Sequence, residues 1–292
     1  MIELKKAPQD IRREIHGVPV GGTELALHLW RPKNVKGAVF YFHGLQSHAG
    51  WLWEVGPQFA ANDIAFFTLD RRGCGISGGE RSELADADSV LGDYLAALRT
   101  VREMIGDDIP LNLFGHCLGG SFLAALLHDE RLDVRYDSAV FCSTWLGRLH
   151  STLSADQRRT LAAEQRTDLW DAGLQSADFT DHPKYREYID QDDLATRYLT
   201  LRSRRTLLEL EDRYLNSSRV LPGVPTAYVS GLVDPVIDLA SARHAFNELV
   251  DGRGSLLQFP TDKHYLFYTD VRAELVNWAS AFTMIPALQH HG

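Results

Sequence analysis

The stretch Gly115-His116-Cys117-Leu118-Gly119-Gly120 sets a thiol between glycines, entered by the apolar run 110–114 and left by an Ala/Leu-rich run after Ser121. This is the spacing G-x-Nuc-x-G of a strand-to-helix turn. The turn is so tight that the nucleophile takes strained backbone angles, and side chains at the two glycines would collide with it. A thiol at a helix start ionises readily when an imidazole stands beside it, because the helix dipole and the imidazolium both favour thiolate. An acyl group on it would be a thioester, more reactive toward amines and thiols than the ester formed by a serine. The competing reading of Cys117 is a buried, inert small hydrophobe, since free cysteine is among the most buried residue types.

The elements around this turn read as alternating strands and helices. Residues 11–16 and 23–30 alternate as two antiparallel strands, with 18–22 as their turn. Run 37–42 is continuously apolar, as a strand buried on both faces of a parallel sheet is, and 63–69, 110–115, 137–142, 224–230 and 255–259 read as further strands of that sheet. Helical spacing predicts helices over about 51–62, 86–105, 239–250 and 271–283, and a helix leaving Gly120. The pattern breaks between 143 and 219, where charged residues replace strand-like runs and stretches such as 155–165 and 201–214 suit helices. The expectation is a mostly parallel α/β sheet of about eight strands, built from 1–142 and 220–292, with a helical cap over 143–219 inserted after the sixth strand. Surface helices with no role over the site are the alternative for that insertion.

Composition narrows the function classes. A formal net charge of −9 argues against nucleic acid and acidic membrane surfaces as partners. No run reaches the length of a transmembrane helix, and the first residues lack the apolar centre of a signal peptide, so a cytoplasmic protein is expected. Three cysteines, Cys74, Cys117 and Cys142, are too few and too scattered for a disulfide framework or a zinc cluster, and no metal or other cofactor is expected.

Five ordered motifs make the chain resemble the α/β-hydrolase superfamily, and within it the branch of monoacylglycerol lipases and lysophospholipases. They are His43-Gly44 after the third strand, Arg72-Gly73-x-Gly75-x-Ser77-Gly78-Gly79 after the fourth, the elbow around Cys117, Gly231-x-x-Asp234 after a late strand, and His264 after the last. The resemblance implies the α/β-hydrolase fold and a triad in which Cys117 is nucleophile, His264 base and Asp234 the acid that orients the imidazole. Asp238, four residues beyond Asp234, is the rival acid. The oxyanion hole would be the backbone N–H groups of Leu45 and Leu118. His43, Gly44 and His116, from the oxyanion-loop and elbow motifs, would border the substrate. Trp51, Trp53 and Trp145 follow site-facing loops and suit either pocket lining or core burial.

Cysteine at the nucleophile position departs from the branch's serine and resembles the Cys-His-Asp arrangement of dienelactone hydrolases and some biosynthetic thioesterases. The substrate implied is a small acyl ester or thioester, free or carrier-bound, whose acyl group passes to water or another acceptor. Two other readings stay open: a lyase in which His264 is the base of an elimination expelling a carboxylate, and a ligand-binding protein without catalysis.

Overall fold

Alternation along one central strand divides the protein into two cores. In β3 (Gly37–Phe42) Ala38, Phe40 and Phe42 face one hydrophobic cluster, while Val39 and Tyr41 face another. Successive side chains of a strand point to opposite faces, so a strand apolar at every position must be covered on both sides. The computed structural model describes residues 11–217, 221 and 223–289. Before β3 lie β1 (Arg13–Val20) and β2 (Thr23–Trp30). After it come β4 (Ile64–Leu69), β5 (Leu111–His116), β6 (Ser138–Cys142), the short β7 (Leu169–Asp171) and β8 (Tyr198–Thr200), then β9 (Thr226–Gly231) and β10 (Ser255–Phe259).

Eight strands form one sheet in the order β1-β2-β4-β3-β5-β6-β9-β10, antiparallel at β1–β2–β4 and parallel from β4 onward. This is the α/β-hydrolase fold expected from the sequence. Helices α1 (Val55–Ala61) and α10 (Arg272–Gln289) pack on one face, while α2 (Ala87–Ile105) and α3 (Leu118–Leu127) pack on the other. Every residue of α3 is buried, which explains why its Ala/Leu run lacks a polar face.

Several boundaries differ from the sequence reading. Val18, Pro19 and Val20 belong to β1, whose register pairs Val20 with Thr23 and leaves only Gly21-Gly22 as the turn. Both glycines have positive φ, as the tightest hairpin connections require, and Pro19 is tolerated because β1 is an edge strand. The helix expected from residue 51 splits into a 3-10 turn, Ala49–Leu52, and α1. Asp63 precedes β4 with φ of 63°, turning the chain into the sheet.

Between β6 and β9 lie α4 (Arg148–Thr152), α5 (Ala155–Ala162), α6 (Ser176–Phe179), α7 (Pro183–Gln191) and α8 (Leu201–Leu215). This stretch also contains the β7–β8 antiparallel pair, which the reading of 143–219 as wholly helical omitted. The boundary placed at 219/220 lies outside the described residues. Buried Glu211 on α8 binds the start of this stretch, accepting from Trp145 Nε1 (2.9 Å), Leu149 N (3.0 Å) and His150 N (3.1 Å).

Candidate active site

The elbow forms because β5 and α3, both wholly buried, are joined by a single residue. That residue, Cys117, has φ of 53° and ψ of −124°, a conformation L-residues rarely hold and which costs on the order of 1–3 kcal/mol. Its backbone is locked: Cys117 N donates to Cys142 O at 3.1 Å, and Cys117 O accepts from Gly120 N (3.1 Å) and Trp145 N (2.9 Å). The flanking glycines are sterically required. A Cβ on Gly115 would lie 2.7 Å from Gly120 Cα, and one on Gly119 would collide with the Phe42 carbonyl and lie 2.8 Å from His43 O. Gly119→Ala is therefore expected to cost about 1–3 kcal/mol of stability and to displace the 43–45 loop. Thermal unfolding together with an ester assay checks this, and a variant as active and stable as the parent would refute it.

His264 and Asp234 meet at the same edge of the sheet. His264 Nδ1 lies 3.0 and 2.9 Å from the two carboxylate oxygens of Asp234, with both side chains fully buried. Asp234 Oδ1 also accepts from Val236 N (2.9 Å) and Ile237 N (3.0 Å). Burial would raise the pKa of this carboxyl, but the charge and hydrogen bond of His264 and these two N–H groups prevail and hold it at about 2. Asp238 is exposed and caps α9 (Leu239–Leu249), accepting from Ala240 N and Ser241 N, so it takes no part in the dyad.

The other imidazole nitrogen, Nε2, is buried without a hydrogen-bond partner of good geometry among the described residues, and the group it acts on electrostatically is Cys117. Burial pushes the Cys117 thiol up. The charge and ring of His264, and then the backbone N–H groups of Leu118 and Leu45, outweigh that push and bring it below the usual thiol range. Conversely, burial lowers His264, but Asp234 and the Cys117 thiolate raise it to about 10. The two shifts are coupled, each group favouring the charged form of the other.

Of the residues expected around a substrate, Gly44 lies against the nucleophile, where an added Cβ would come 3.1 Å from Cys117 Cβ. Three of the other four are differently employed. Nε2 of His43 accepts from Arg71 N at 3.2 Å, and its Nδ1 lies 2.8 Å from Arg71 Nη1 and 3.0 Å from Gly44 O, so this ring braces the loop instead of facing substrate. Burial and the Arg71 charge keep it neutral, well below the usual histidine range. His116 stacks against Tyr41, lies 5.0 Å ring to ring from His264, and donates from Nε2 to His264 O at 3.3 Å. Burial and then the His264 charge lower it to about 3. Trp51 is core: it stacks on Tyr268 and donates to Asp192 Oδ2 at 2.6 Å. Trp145 and Asp234 both line a cavity of 390 Å³ on the acid's side of the dyad.

The sequence reading missed the residues between 143 and 219 that hold the catalytic edge. Asp178 O accepts from His264 N (2.9 Å), and Phe179 packs edge-on against the His264 ring. Thr196 N donates to Gln46 O (3.1 Å), and Asp192 binds His48 (3.0 Å) as well as Trp51. No local pattern marks these residues, because their partners lie more than 80 positions away and each contact is a single bond. Together they enclose the site: Cys117 is 3% exposed and His264 0%. Among the described residues no cluster of His, Cys, Asp and Glu could hold a metal, and no helix is long and apolar enough to cross a membrane.

Comparison with known proteins agrees with this fold. The family described as serine aminopeptidase, S33, matches residues 33–270. A monoacylglycerol lipase of Mycolicibacterium smegmatis is 33% identical over 110 residues, 36% of this chain and 38% of that protein. The chain thus matches well under half of that relative's length. Among solved structures, a soluble variant of the Saccharomyces cerevisiae monoglyceride lipase superposes with a TM-score of 0.79 at 17% identity, covering 95% of this chain and 96% of the other. The monoacylglycerol lipase of Paleococcus ferrophilus gives 0.71 at 18% identity, covering 89% and 99%. At these identities the structures speak to the fold.

Proposed function

Since the chain belongs to the serine aminopeptidase S33 family and has the α/β-hydrolase fold, we propose that it is an acyl-processing enzyme, an ester or thioester hydrolase or acyltransferase, working through a covalent intermediate on Cys117. What carries this reading is Cys117 buried at the strained elbow on the same sheet edge as the buried His264–Asp234 pair, 2.9 Å apart, whose charge, with the Leu118 and Leu45 N–H groups, lowers the thiol. The named relatives and neighbours are lipases of monoacylglycerols, which favours ester chemistry.

In this mechanism the Cys117 thiolate attacks the substrate carbonyl carbon. Its π electrons move onto oxygen, and the oxyanion is held by the Leu45 and Leu118 N–H groups, donors already oriented before the charge forms. His264, protonated at Nε2, gives its proton to the leaving oxygen or sulfur as the carbonyl reforms, which leaves a thioester on Cys117 and a neutral imidazole. That imidazole then takes a proton from water or an acceptor alcohol, amine or thiol, whose attack makes a second oxyanion. Collapse expels the thiolate and regenerates the ion pair. Asp234 holds the ring with Nδ1–H toward itself and stabilises the imidazolium.

Residues 143–219 act as a cap in this reading. Their contacts at Gln46, His48 and His264 close the carboxyl edge, so substrate entry requires those contacts to part. The direct test is incubation with a 4-nitrophenyl ester, followed by mass spectrometry of the digested protein. The acyl mass is expected on the Cys117 peptide. Steady turnover with no adduct trapped on that peptide at any time after mixing would count against the covalent route.

A further inference from the structure

We infer that Arg71 is a positioning residue of the oxyanion hole: its buried guanidinium grips the carbonyl side of the loop and thereby aims and polarises the Leu45 N–H. The inference rests on the covalent reading above and extends it to a residue outside the triad.

Arg71 is 3% exposed. Its Nη1 donates to Gly44 O at 2.6 Å and His43 O at 3.2 Å, and its Nη2 to Leu45 O at 2.9 Å and Cys74 Sγ at 3.3 Å. Three successive carbonyls of one short loop therefore converge on one cation. The adjacent Asp70 gives its carboxylate to His28, Ala49 N and Ile76 N instead, and Arg71 forms no ion pair among the described residues. A buried charge without a counter-charge is costly, and a fold that retains one where three carbonyls meet places a positive potential beside whatever that loop does.

The peptide geometry connects this grip to the reaction. The Gly44–Leu45 bond is trans, so its C=O and N–H point in opposite directions. Gly44 O lies within hydrogen-bond distance of Arg71 Nη1 and His43 Nδ1, while Gly44 itself lies against Cys117, where an added Cβ would come 3.1 Å from Cys117 Cβ, and the Leu45 N–H of the same peptide helps lower the Cys117 thiol. Fixing the oxygen fixes the aim of the N–H. A cation on the oxygen also withdraws electron density through the amide, making that N–H a stronger donor, as in any chain of hydrogen bonds. The neighbouring Arg72 instead pairs with Asp93 and donates to Val20 O, so the grip on the loop is Arg71's.

Two rates measured on one thiol isolate this role. Acylation by 4-nitrophenyl acetate passes through an oxyanion, whereas alkylation of Cys117 by iodoacetamide does not. In Arg71→Met the acylation rate is expected to fall about 10- to 100-fold, less than the 10²–10³ typical of deleting an oxyanion donor outright, while the alkylation rate, read on its high-pH plateau where the thiol is fully ionised in both proteins, stays within about twofold. If both rates fall in parallel, or neither changes, the inference is overturned. Should Arg71→Met lack the parent's far-UV circular dichroism, the pair Arg71→Gln and Arg71→Lys carries the test. Each keeps a donor to a carbonyl but only lysine keeps the charge, so the acylation-to-alkylation ratio should fall in the first and largely survive in the second, and equal ratios would refute the charge's role. A parent enzyme that alkylates at Cys117 but never acylates there would fail the nucleophile reading itself, and this inference with it.

Discussion

Cys117→Ala should lower kcat/KM on an activated ester by at least about 10⁴-fold, a loss of about 5.5 kcal/mol in transition-state stabilisation. The size follows from what remains after the change. The Leu45 and Leu118 N–H groups would still hold an oxyanion, but the only attacking group left is water, without the sulfur's position against the carbonyl carbon. Cys117→Ser should fall between parent and alanine. The hydroxyl occupies the same strained position, φ 53° and ψ −124°, but it is far less acidic than a thiol and depends fully on His264 to lose its proton. Steady-state kinetics of the three proteins on one ester decide the matter. Parent-like turnover by Cys117→Ala would move the assignment to an elimination in which His264 alone does proton chemistry.

His264→Ala is expected to cost a comparable 10³- to 10⁴-fold in turnover, because members of one catalytic unit do not contribute independently. It also makes a prediction that loss of a mere structural residue does not. In the parent, burial raises the Cys117 thiol, and the largest opposing influence is the His264 charge. Without that charge the desolvation of the thiolate is opposed only by the two backbone N–H groups, so the thiol pKa must move upward. The pH dependence of iodoacetamide alkylation reads this directly. In the parent the rate should reach its plateau below the pH at which an ordinary thiol ionises, with the pair persisting until His264 deprotonates near its own raised value of about 10. In His264→Ala the midpoint should shift to higher pH. An unshifted midpoint would mean that the imidazole does not govern the thiol.

Much of this was legible in the sequence because the relevant signals are local. Cys117 directly follows a run that becomes a strand, and Asp234 and His264 follow theirs within a few residues, so the ends of β5, β9 and β10 present them at one edge. The two glycines of the elbow likewise announce a backbone that cannot carry side chains there. Boundaries were less legible where a breaker residue sits inside an element, as Pro19 does in β1, since its tolerance depends on the strand lying at the sheet's edge.

The roles of His43, His116 and Trp51 illustrate the other side. All three sit in or beside motifs, and by type each suits a substrate pocket. What assigned them elsewhere was a partner distant in sequence: Arg71 for His43, the His264 carbonyl for His116, and Asp192 with Tyr268 for Trp51. The β7–β8 pair escaped notice for a related reason, as strands of three residues with exposed Leu169 and Tyr198 show no alternation long enough to read.

The sequence by itself determined the order of strands and helices, the glycine-flanked thiol, and the candidate acid and base, because backbone sterics and hydrophobic periodicity act between near neighbours. Only the tertiary structure decided that His264 is buried against Asp234 beside the Cys117 elbow, that Asp178 and Phe179 steady that imidazole, and that Arg71, without an ion pair among the described residues, binds the carbonyls of 43–45. The physical reason is that ionisation and hydrogen-bond strength depend on the distance to charges and on the exclusion of water. Both are set by chain segments tens to more than a hundred residues apart, which only packing brings together.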